Sequence, residues 1–323
     1  MSRLSTIAAA MGGFMLIGSA LAEDQAVTTT PAIAGVVAAG TPIELIKDGF
    51  TGTEGPIAYA NNSLLFTENQ ANRVTQIAAD GSTSSFLDNT NGVNALAFSA
   101  DGVLYAVQTL QTRVGIVFPA DKVKVLADNF EGKAFGRPND LVIDKNQVVY
   151  FTDSGAQARP DQPAPTSAVA KPAVYRISAA GALTRIAADI ERPNGIQLSP
   201  DEKVLYVANT NGEYVLAYDI GKDGAIGPRR SFARLDGVKP TETGITSGAD
   251  GLAVDSKGRV YVATSLGIQV FSDHGKALGI IALPKQPQNL AFAGAGKRTL
   301  YAVGRGAAYK IAVLTPGYKG RAK

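Results

Sequence analysis

The sequence predicts an all-β protein folded as a six-bladed β-propeller whose ring is closed by an N-terminal strand. Three observations lead to this prediction: a short motif that recurs six times, an aromatic residue in the strand after each copy, and one spare strand ahead of the first copy. Successive copies lie roughly 40 to 55 residues apart, which is typical of four-stranded propeller blades. A β-sandwich would not repeat one unit six times, and a solenoid would not need the spare strand to pair with the far end of the chain.

Each copy of the motif begins with a polar residue that opens a short apolar strand. The following turns are rich in Gly, Asp and Asn, residues that tolerate the left-handed backbone angles of tight hairpins. In chain order, the six openings are Glu54-Gly55-Pro56-Ile57, Asn94-Ala95-Leu96-Ala97, Asn139-Asp140-Leu141-Val142, Asn194-Gly195-Ile196-Gln197, Asp250-Gly251-Leu252-Ala253 and Gln288-Asn289-Leu290-Ala291. In the sixth copy, either Gln288 or Asn289 can be the opening polar residue.

The second strand of every unit combines an aliphatic residue with an aromatic one, as expected for a strand that packs on both faces. The six segments are Leu65-Phe66-Thr67-Glu68, Leu104-Tyr105-Ala106-Val107, Val149-Tyr150-Phe151-Thr152, Leu205-Tyr206-Val207-Ala208, Val260-Tyr261-Val262-Ala263 and Leu300-Tyr301-Ala302-Val303. Third and outer strands follow these segments, so that each unit forms one blade.

The spare strand runs from Pro42 to Lys47, ahead of the first unit. If it pairs with the last unit, it becomes the outer strand of the sixth blade, and the ring closes without an open sheet edge. We therefore expect a single propeller domain over 41–318, followed by a short basic tail at 319–323.

The N-terminus has the pattern of a secretory signal peptide. Arg3 provides a positive start, Leu4 to Ile17 is apolar, and the small residues of Ala20-Leu21-Ala22 precede an acidic pair. The apolar stretch is interrupted by glycines and is shorter than the ~20 residues of a membrane span. We expect cleavage after residues 1–22, a flexible lead-in over 23–40, and a periplasmic or secreted protein that does not remain in the membrane.

Composition excludes several classes of function. Charged residues make up 18% of the chain, the net charge is +3, and no block of five or six like charges occurs, so neither nucleic acid nor an anionic membrane is an expected partner. The chain contains no Cys, which rules out a thiol nucleophile, a disulfide and a Cys-based zinc site. Its single histidine, His274, lies in a predicted turn, so a Ser-His-Asp triad is not expected.

The polar openings of the six units should meet at one mouth of the central channel, because the first strand of every propeller blade lines that channel. Carboxylate and amide oxygens without His or Cys suit a hard divalent cation, with calcium the first expectation and magnesium or zinc as alternatives. For any single position, the other reading is a side chain that only caps a turn. The ring consists of Glu54, Asn94, Asn139, Asn194, Asp250 and either Gln288 or Asn289.

The second strand of each blade runs back to the same mouth and brings more polar residues there. Among them, Gln108, Asp153 and Asn209 are predicted, together with Asn94 and Asn139, to line a substrate site. The Pro- and Ala-rich loop 154–171 projects from this face as either a lid or a surface insertion. The loops 129–138 and 237–249 enter from the same side.

Several of these motifs resemble the gluconolactonase and regucalcin-like propellers, a family that includes senescence marker protein and luciferin-regenerating enzyme. The resemblance covers the chain from about Glu54 to its C-terminal end, in the family's order and spacing. The motifs are Glu54-Gly55-Pro56, Arg137-Pro138-Asn139-Asp140-Leu141, Phe151-Thr152-Asp153, Arg192-Pro193-Asn194-Gly195, Ser199-Pro200-Asp201, and Ala249-Asp250-Gly251-Leu252 with Asp255.

The resemblance implies a six-bladed propeller with one divalent metal ion held by Glu54, Asn194 and Asp250. It also implies that Asn139 contacts substrate and a metal-bound water, and that the activity is the opening of a sugar-type lactone. In such a reaction, Asp250 could serve as the general base. The sequence departs from the family at Gln108, where many members place an acidic residue and a histidine nearby, and at Glu68-Asn69, where an Asp is common.

Two other functions fit the same ring of residues. One is a non-catalytic propeller that binds a small ligand or a protein and uses the metal only as a structural plug. The other is a metal-dependent hydrolase of aryl esters or organophosphates, because a fold does not fix the substrate. The residues leave the natural substrate, the native metal and the oligomeric state open.

Overall fold

The computed structural model describes Met1 and residues 28–156 and 169–323. The predicted signal peptide and most of loop 154–171 lie outside the described residues. The described chain forms six four-stranded antiparallel sheets and two small hairpins. The six sheets are the blades of a β-propeller, as the repeated motif predicts.

The strands follow one another in chain order, four to a blade. Blade 1 is preceded by β1 (Ile43–Asp48) and contains β2 (Thr53–Ala58), β3 (Leu64–Glu68), β4 (Arg73–Ile77) and β5 (Thr83–Asp88). Blade 2 contains β6 (Val93–Phe98), β7 (Leu104–Gln108), β8 (Arg113–Phe118) and β9 (Lys124–Ala127). A hairpin of β10 (Asn129–Phe130) and β11 (Lys133–Ala134) precedes blade 3, which contains β12 (Pro138–Ile143), β13 (Val149–Asp153), β14 (Ala173–Ile177) and β15 (Leu183–Ala187).

The second half of the ring has the same arrangement. Blade 4 contains β16 (Pro193–Leu198), β17 (Val204–Asn209), β18 (Tyr214–Asp219) and β19 (Arg230–Arg234), and a hairpin of β20 (Lys239–Thr241) and β21 (Gly244–Thr246) follows it. Blade 5 contains β22 (Leu252–Val254), β23 (Val260–Thr264), β24 (Gly267–Phe271) and β25 (Ala277–Ile281). Blade 6 contains β26 (Asn289–Ala293), β27 (Thr299–Gly304) and β28 (Ala307–Ala312), and two 3-10 turns occur at Ala120–Lys122 and Ala295–Lys297.

The ring is closed by the N-terminal strand. Strand β1 pairs antiparallel with β28, from Ile43 opposite Ile311 to Asp48 opposite Ala307. The sheet order of blade 6 is therefore β1-β28-β27-β26, with the first strand of the chain on the outside. This pairing removes the sheet edge that blade 6 would otherwise expose, and it confirms the predicted closure.

The core lies between neighbouring blades, where the aromatic residues of the second strands pack. Tyr261 of blade 5 meets Phe292 of blade 6 edge-to-face, with ring centroids 5.0 Å apart. In blade 3, Tyr150 occupies the equivalent position and belongs to one apolar cluster with Ile196 and Val207 of blade 4. Each of these side chains is almost completely buried. Burial of one such ring contributes roughly 1.5–3 kcal/mol, so the repeated aromatic position holds adjacent blades together.

Residues 28–40 are the described part of the predicted flexible lead-in, and they pack against blades 5 and 6. Ile33, Val36 and Val37 are 3%, 0% and 1% exposed and belong to one apolar cluster with strands of those two blades. The carbonyl oxygen of Val36 accepts a hydrogen bond from the backbone N–H of Leu314 at 2.9 Å. Three large apolar side chains in a stretch otherwise made of Thr, Pro, Ala and Gly give this segment surface to bury.

Residues 319–323, the predicted basic tail, also contact the propeller closely. Arg321 pairs with Glu202, and Lys323 pairs with Asp140 inside the channel. Lys323 is only 6% exposed, and its partner Asp140 lies on an inner strand, whereas Glu202 lies in the turn between β16 and β17. In the described part of the chain, no helix is long and apolar enough to cross a membrane.

Candidate functional site

The inner strands of blades 1 to 4 carry a β-bulge at the position that opens each of these units. The register shifts between Glu54 and Ile57 in blade 1, and between Val93 and Ala95 in blade 2. Blades 3 and 4 shift in the same place, after Pro138 and after Pro193. A bulge bends its strand and redirects the side chains at the extra residues. The repeated bulge explains why the opening polar residues do not follow the plain alternation of the strands.

A glycine follows three of these polar residues because neighbouring blades approach closely at the channel. A Cβ added at Gly195 would lie 2.3 Å from the carbonyl oxygen of Asp250, and one at Gly251 would lie 2.0 Å from Oδ1 of Asn289. A Cβ at Gly55 would lie 2.6 Å from the carbonyl oxygen of Asn94. Any larger residue would push the blades apart, so the glycines keep the opening residues within reach of one another.

The two carboxylates of the ring, Glu54 and Asp250, interact electrostatically. Glu54 is 5% exposed, and its Oε2 accepts hydrogen bonds from the backbone N–H of Gly55 at 3.2 Å and from Nδ2 of Asn289 at 3.1 Å. Burial raises the pKa of Glu54 to about 7. Burial also raises the pKa of Asp250 well above its usual range, and the charge of Glu54 raises it further. A bound cation would relieve both effects, because it favours the ionised form of each carboxyl group.

Asn194 presents an acceptor oxygen that the described protein does not use. The side chain is 5% exposed, and its Nδ2 donates to Oγ1 of Thr210 at 3.0 Å. Among the described residues, buried Oδ1 of Asn194 has no hydrogen-bond partner. Thr210 is held in turn by the carbonyl oxygen of Ala249, next to Asp250. A buried amide oxygen without a partner is costly unless another group binds it, and a hard cation is such a group.

Asn94 and Asn139 occupy adjacent positions in the ring, and the side chain of Asn94 hydrogen-bonds to both neighbouring blades. Asn94 accepts a hydrogen bond from Nδ2 of Asn69 at 2.7 Å and donates to the backbone carbonyl of Asn139 at 2.8 Å. The side chain of Asn94 therefore links blades 1, 2 and 3. Asn139 is 6% exposed, and the Asn94 amide fixes its main chain at the mouth.

In blade 6, the ring position is filled by Asn289 rather than Gln288. Asn289 is buried, and its amide reaches Glu54. The side chain of Gln288 instead accepts a hydrogen bond from the backbone N–H of Arg305 at 2.9 Å. The sequence leaves open whether Gln288 or Asn289 belongs to the ring. The structure assigns the position to Asn289, because its side chain reaches Glu54.

The ends of the second strands hold the loops that lead into the blades. Both oxygens of Asp153 accept backbone N–H bonds, from Gly136 at 2.8 Å and from Arg137 at 2.6 Å, and a third comes from Gly155 at 2.9 Å. Gln108 likewise donates to the carbonyl oxygen of Thr90 at 2.7 Å. These side chains, predicted to line the substrate site, are directed at their own blades.

Asn209 follows the same pattern in blade 4. Its Oδ1 accepts the backbone N–H of Arg192 at 3.1 Å, and its Nδ2 donates to Glu191 at 2.6 Å. In blade 1 the equivalent residue is Glu68, opposite Thr53, and it accepts the backbone N–H of Thr51 at 2.9 Å. The hydrogen bonds made by this second set of polar residues therefore fix the loops around the mouth.

The loops on this face contain the two small hairpins. Strands β10 and β11 lie within loop 129–138, and β20 and β21 lie within loop 237–249. Of loop 154–171, residues 157–168 are outside the described part. At its far end, Val169 forms an isolated bridge with Ala134 of the first hairpin.

Two arginines at the mouth, Arg137 and Arg192, do not belong to the ring of polar residues. The charges of Arg192 and Arg137 act on Asp250, and both lower its pKa, against the larger effect of burial. Each arginine begins an Arg-Pro-Asn triplet and stands two residues before a ring asparagine. That repeated triplet is the signal that could have identified them from the sequence.

The donor set at this mouth determines which ion could bind. In residues 28–156 and 169–323, no three His, Cys, Asp or Glu side chains converge as a metal cluster. A metal here would be held by the two carboxylates of Glu54 and Asp250 and the amide oxygen of Asn194, with water completing its coordination. Oxygen ligands with two negative charges fit a hard divalent ion, so the residues are compatible with the ion that the family resemblance implies.

The chain was compared with known protein families. The family described as the SMP-30/gluconolactonase/LRE-like region matches residues 52–304. The chain belongs to this family. The match extends from the start of blade 1 to the end of β27 in blade 6, and so includes every residue of the ring.

Individual members of the family agree with this assignment. The chain is 29% identical over 290 residues to a gluconolactonase from Zymomonas mobilis. The aligned region covers 84% of this chain and 81% of the relative. A solved gluconolactonase from Xanthomonas campestris superposes with a TM-score of 0.74 at 27% identity, over 89% of this chain and 96% of that one. Regucalcin from Agrobacterium tumefaciens, described as a calcium-binding protein, shares the fold with a TM-score of 0.67 at 18% identity, over 89% and 98% of the two chains.

Proposed function

We propose that the protein opens a sugar-type lactone by hydrolysis, using one divalent metal ion held by Glu54, Asn194 and Asp250. Its membership of the family and its gluconolactonase relatives identify it as a lactonase. The observation that carries the metal site is the free buried Oδ1 of Asn194 at a mouth shared with two mutually repelling carboxylates. Calcium is the first candidate, since the structurally similar regucalcin is a calcium-binding protein, and magnesium and zinc are the alternatives.

The ion, when bound, would polarise the lactone carbonyl and make a coordinated water more acidic. Asp250, as a ligand at the mouth, would accept a proton from the attacking water, because the bound ion keeps its carboxylate ionised. Glu54 contributes the second negative charge, and the hydrogen bond from Asn289 fixes one of its oxygens. Asn139, held at the mouth through its main chain, can donate an amide hydrogen to the oxyanion that forms from the lactone carbonyl.

The site is built by rigid inner strands rather than by loops. The β-bulges, the glycine contacts and the hydrogen bonds between blades hold these residues before substrate arrives. Such preorganisation is what a hydrolase needs, because the charges must already point at the developing oxyanion. A protein that used the metal only as a plug would need the ligands but not a base and an oxyanion donor beside them.

A pH-indicator assay on a small panel of lactones tests this function. The panel contains glucono- and galactono-lactones, one aryl ester and one organophosphate, and each is run with the purified protein before and after treatment with a chelator. We expect turnover of the sugar lactones that is lost with chelator and restored by calcium, magnesium or zinc. A blank without protein corrects for spontaneous lactone hydrolysis.

The assay separates the three functions that the ring allows. Turnover that survives complete metal removal would contradict the metal mechanism. Turnover of the aryl ester or organophosphate alone would point to the second hydrolase class. Calcium binding without turnover of any panel member would support a binding propeller.

The proposed location is the periplasm or the extracellular space, after removal of residues 1–22. N-terminal sequencing of the protein recovered from the periplasm or the medium tests this directly. A product that begins at Glu23 agrees with export, and an intact Met1 in the cytoplasmic fraction contradicts it.

A further inference from the structure

The chain beyond the family match turns back and enters the central channel from the face opposite the candidate site. The match ends at Gly304, within blade 6. The segment that we call the channel segment, 316–323, hydrogen-bonds to inner parts of blades 5, 6 and 1. Its main-chain bonds are Ser256 N to Pro316 O at 2.9 Å, Gly317 N to Lys297 O at 2.9 Å, Tyr318 N to Val254 O at 3.4 Å, and Ala58 N to Ala322 O at 3.0 Å.

Arg321 fastens the channel segment to blade 4. The side chain is 7% exposed, and its Nη1 lies 3.2 Å from Oε1 of Glu202. Its Nη2 donates to the carbonyl oxygens of Leu198 and Ser199, at 2.6 and 3.0 Å. With these bonds, the segment touches four of the six blades, so its last residue is held in place.

That last residue, Lys323, ends beside a buried carboxylate. The ammonium group of Lys323 pairs with Oδ2 of Asp140, and the two side chains are 4% and 0% exposed. Asp140 also accepts the backbone N–H of Leu141 at 2.8 Å and, more weakly, that of Ile196 at 3.4 Å. A buried charge without a partner is strongly unfavourable, so each member of the pair depends on the other.

The pair lies close to the proposed metal ligands. Asp140 directly follows Asn139, and Ile196 stands two residues after Asn194. The negative charge of Asp140 acts on both Glu54 and Asp250, and the positive charge of Lys323 acts on Glu54 in the opposite sense.

The charges that face the two mouth carboxylates can be named. Arg137 and Arg192 face Asp250, while Asp140 and Lys323 act from within the channel. Three buried carboxylates thus share this region, and Lys323 is bonded to the one that does not belong to the ring.

We propose that Lys323 is a positioning residue of the metal site, which neutralises Asp140 so that this third carboxylate adds no net charge to Glu54 and Asp250, the two that would hold a divalent ion. This inference rests on the proposed metal site. It means that Lys323, which lies outside the family match, sets the net charge of that site. Without Lys323, the channel would carry an extra negative charge and would favour ions of higher charge. Without Asp140, it would carry an extra positive charge and would hold cations less well.

A double-mutant cycle on the full chain tests the proposal. Calcium affinity is measured by calorimetry, and terbium affinity by luminescence, for wild type, Lys323→Met, Asp140→Asn and the double variant at one pH and salt concentration. We expect Lys323→Met to tighten calcium binding and Asp140→Asn to weaken it, each on the order of tenfold. Terbium, with three charges, should shift further than calcium in both variants. The double variant should return close to the wild-type affinities.

The control is Lys319→Met, which removes the same charge from an exposed position on the channel segment and should leave both affinities unchanged. Lys323→Arg keeps the charge and should also bind like wild type. If Lys323→Met does not fold, the double variant, in which both side chains are neutral, is compared with Asp140→Asn. The difference in calcium affinity between these two then reports the effect of the Lys323 charge. Equal calcium affinities across the cycle, or equal shifts for calcium and terbium, would overturn the proposal. Absence of calcium and terbium binding in the wild type would instead contradict the proposed metal site.

Discussion

Nδ2 of Asn289 lies 3.1 Å from Oε2 of Glu54, and this hydrogen bond joins the inner strands of the last and first blades across 235 residues of sequence. Its effect is to orient one oxygen of a carboxylate that burial would otherwise protonate. The ring therefore contains two kinds of polar residue. Some offer oxygen atoms to the channel, as Asn194 does, and others hold their neighbours, as Asn289 and Asn94 do.

Substitution of Asp250 by Asn tests its role as the base. At saturating calcium, we expect kcat for a sugar lactone to fall about 100- to 10,000-fold, because the amide cannot accept the proton from water. Steady-state kinetics measured together with calcium content separates loss of the base from loss of the ion. Asp236→Asn, at an exposed position, is the matched control and should retain full activity. Activity of Asp250→Asn at the wild-type level with normal calcium content would show that another group is the base.

Asn194 and Asn209 provide a comparison between a free and a fully engaged amide. Asn194→Ala removes the unpartnered Oδ1 and should weaken calcium binding about tenfold or more. Asn209→Ala removes the hydrogen bonds to Arg192 and Glu191 and should instead lower the free energy of unfolding by about 1–3 kcal/mol. Calorimetric titration with calcium and urea unfolding are run on both variants. Equal calcium affinity in the two would remove Asn194 from the ligand set.

Asp153 is expected to act on stability rather than on substrate affinity. Its carboxylate accepts three backbone N–H bonds from the loops at the mouth, and Asp153→Ala leaves these donors without a partner. We expect the free energy of unfolding to fall by about 2–4 kcal/mol, measured by urea denaturation against exposed Asp121→Ala. If the variant kept wild-type stability and showed a raised KM, the sequence-based assignment of Asp153 to the substrate site would hold.

The stability of the metal-free protein should decrease as the pH rises. The pKa of Glu54 is raised from its ordinary value of 4.5 to about 7 in the folded protein, so the folded state binds a proton more tightly than the unfolded state. The contribution of Glu54 to stability is then greatest below pH 4.5 and declines until pH 7 is passed, by on the order of 3 kcal/mol. Calcium should remove the decline, because it binds the ionised form.

The variant that tests this pH dependence is Glu54→Gln. Urea unfolding with chelator at several pH values between 4.5 and 8 should show a flatter profile for this variant than for wild type. Glu242→Gln, at an exposed site, should retain the wild-type slope. A slope that is unchanged in Glu54→Gln would mean that Asp250 or another group takes up the proton.

Much of the architecture follows from the sequence alone. Six copies of one motif specify six blades, because each copy carries both the strand that lines the channel and the aromatic that packs between blades. The spare strand near Pro42 specifies closure, because the open edge of the last blade offers unpaired backbone groups with which it can pair. The ring position is also readable, since equivalent residues in a repeat occupy equivalent places.

Only the tertiary structure decided which of those equivalent side chains keep an atom that is not hydrogen-bonded within the protein and so can bind a ligand. Asn94 and Asn194 look alike in sequence, but the first is used by Asn69 and the main chain of Asn139, and the second keeps an unpartnered oxygen. Lys323 reads as part of a charged tail, yet it is buried against Asp140, 183 residues earlier in the chain. The physical reason is that hydrogen bonds and burial depend on neighbouring blades, and the repeat fixes each residue's place in its own blade without fixing which atoms of the next blade it meets.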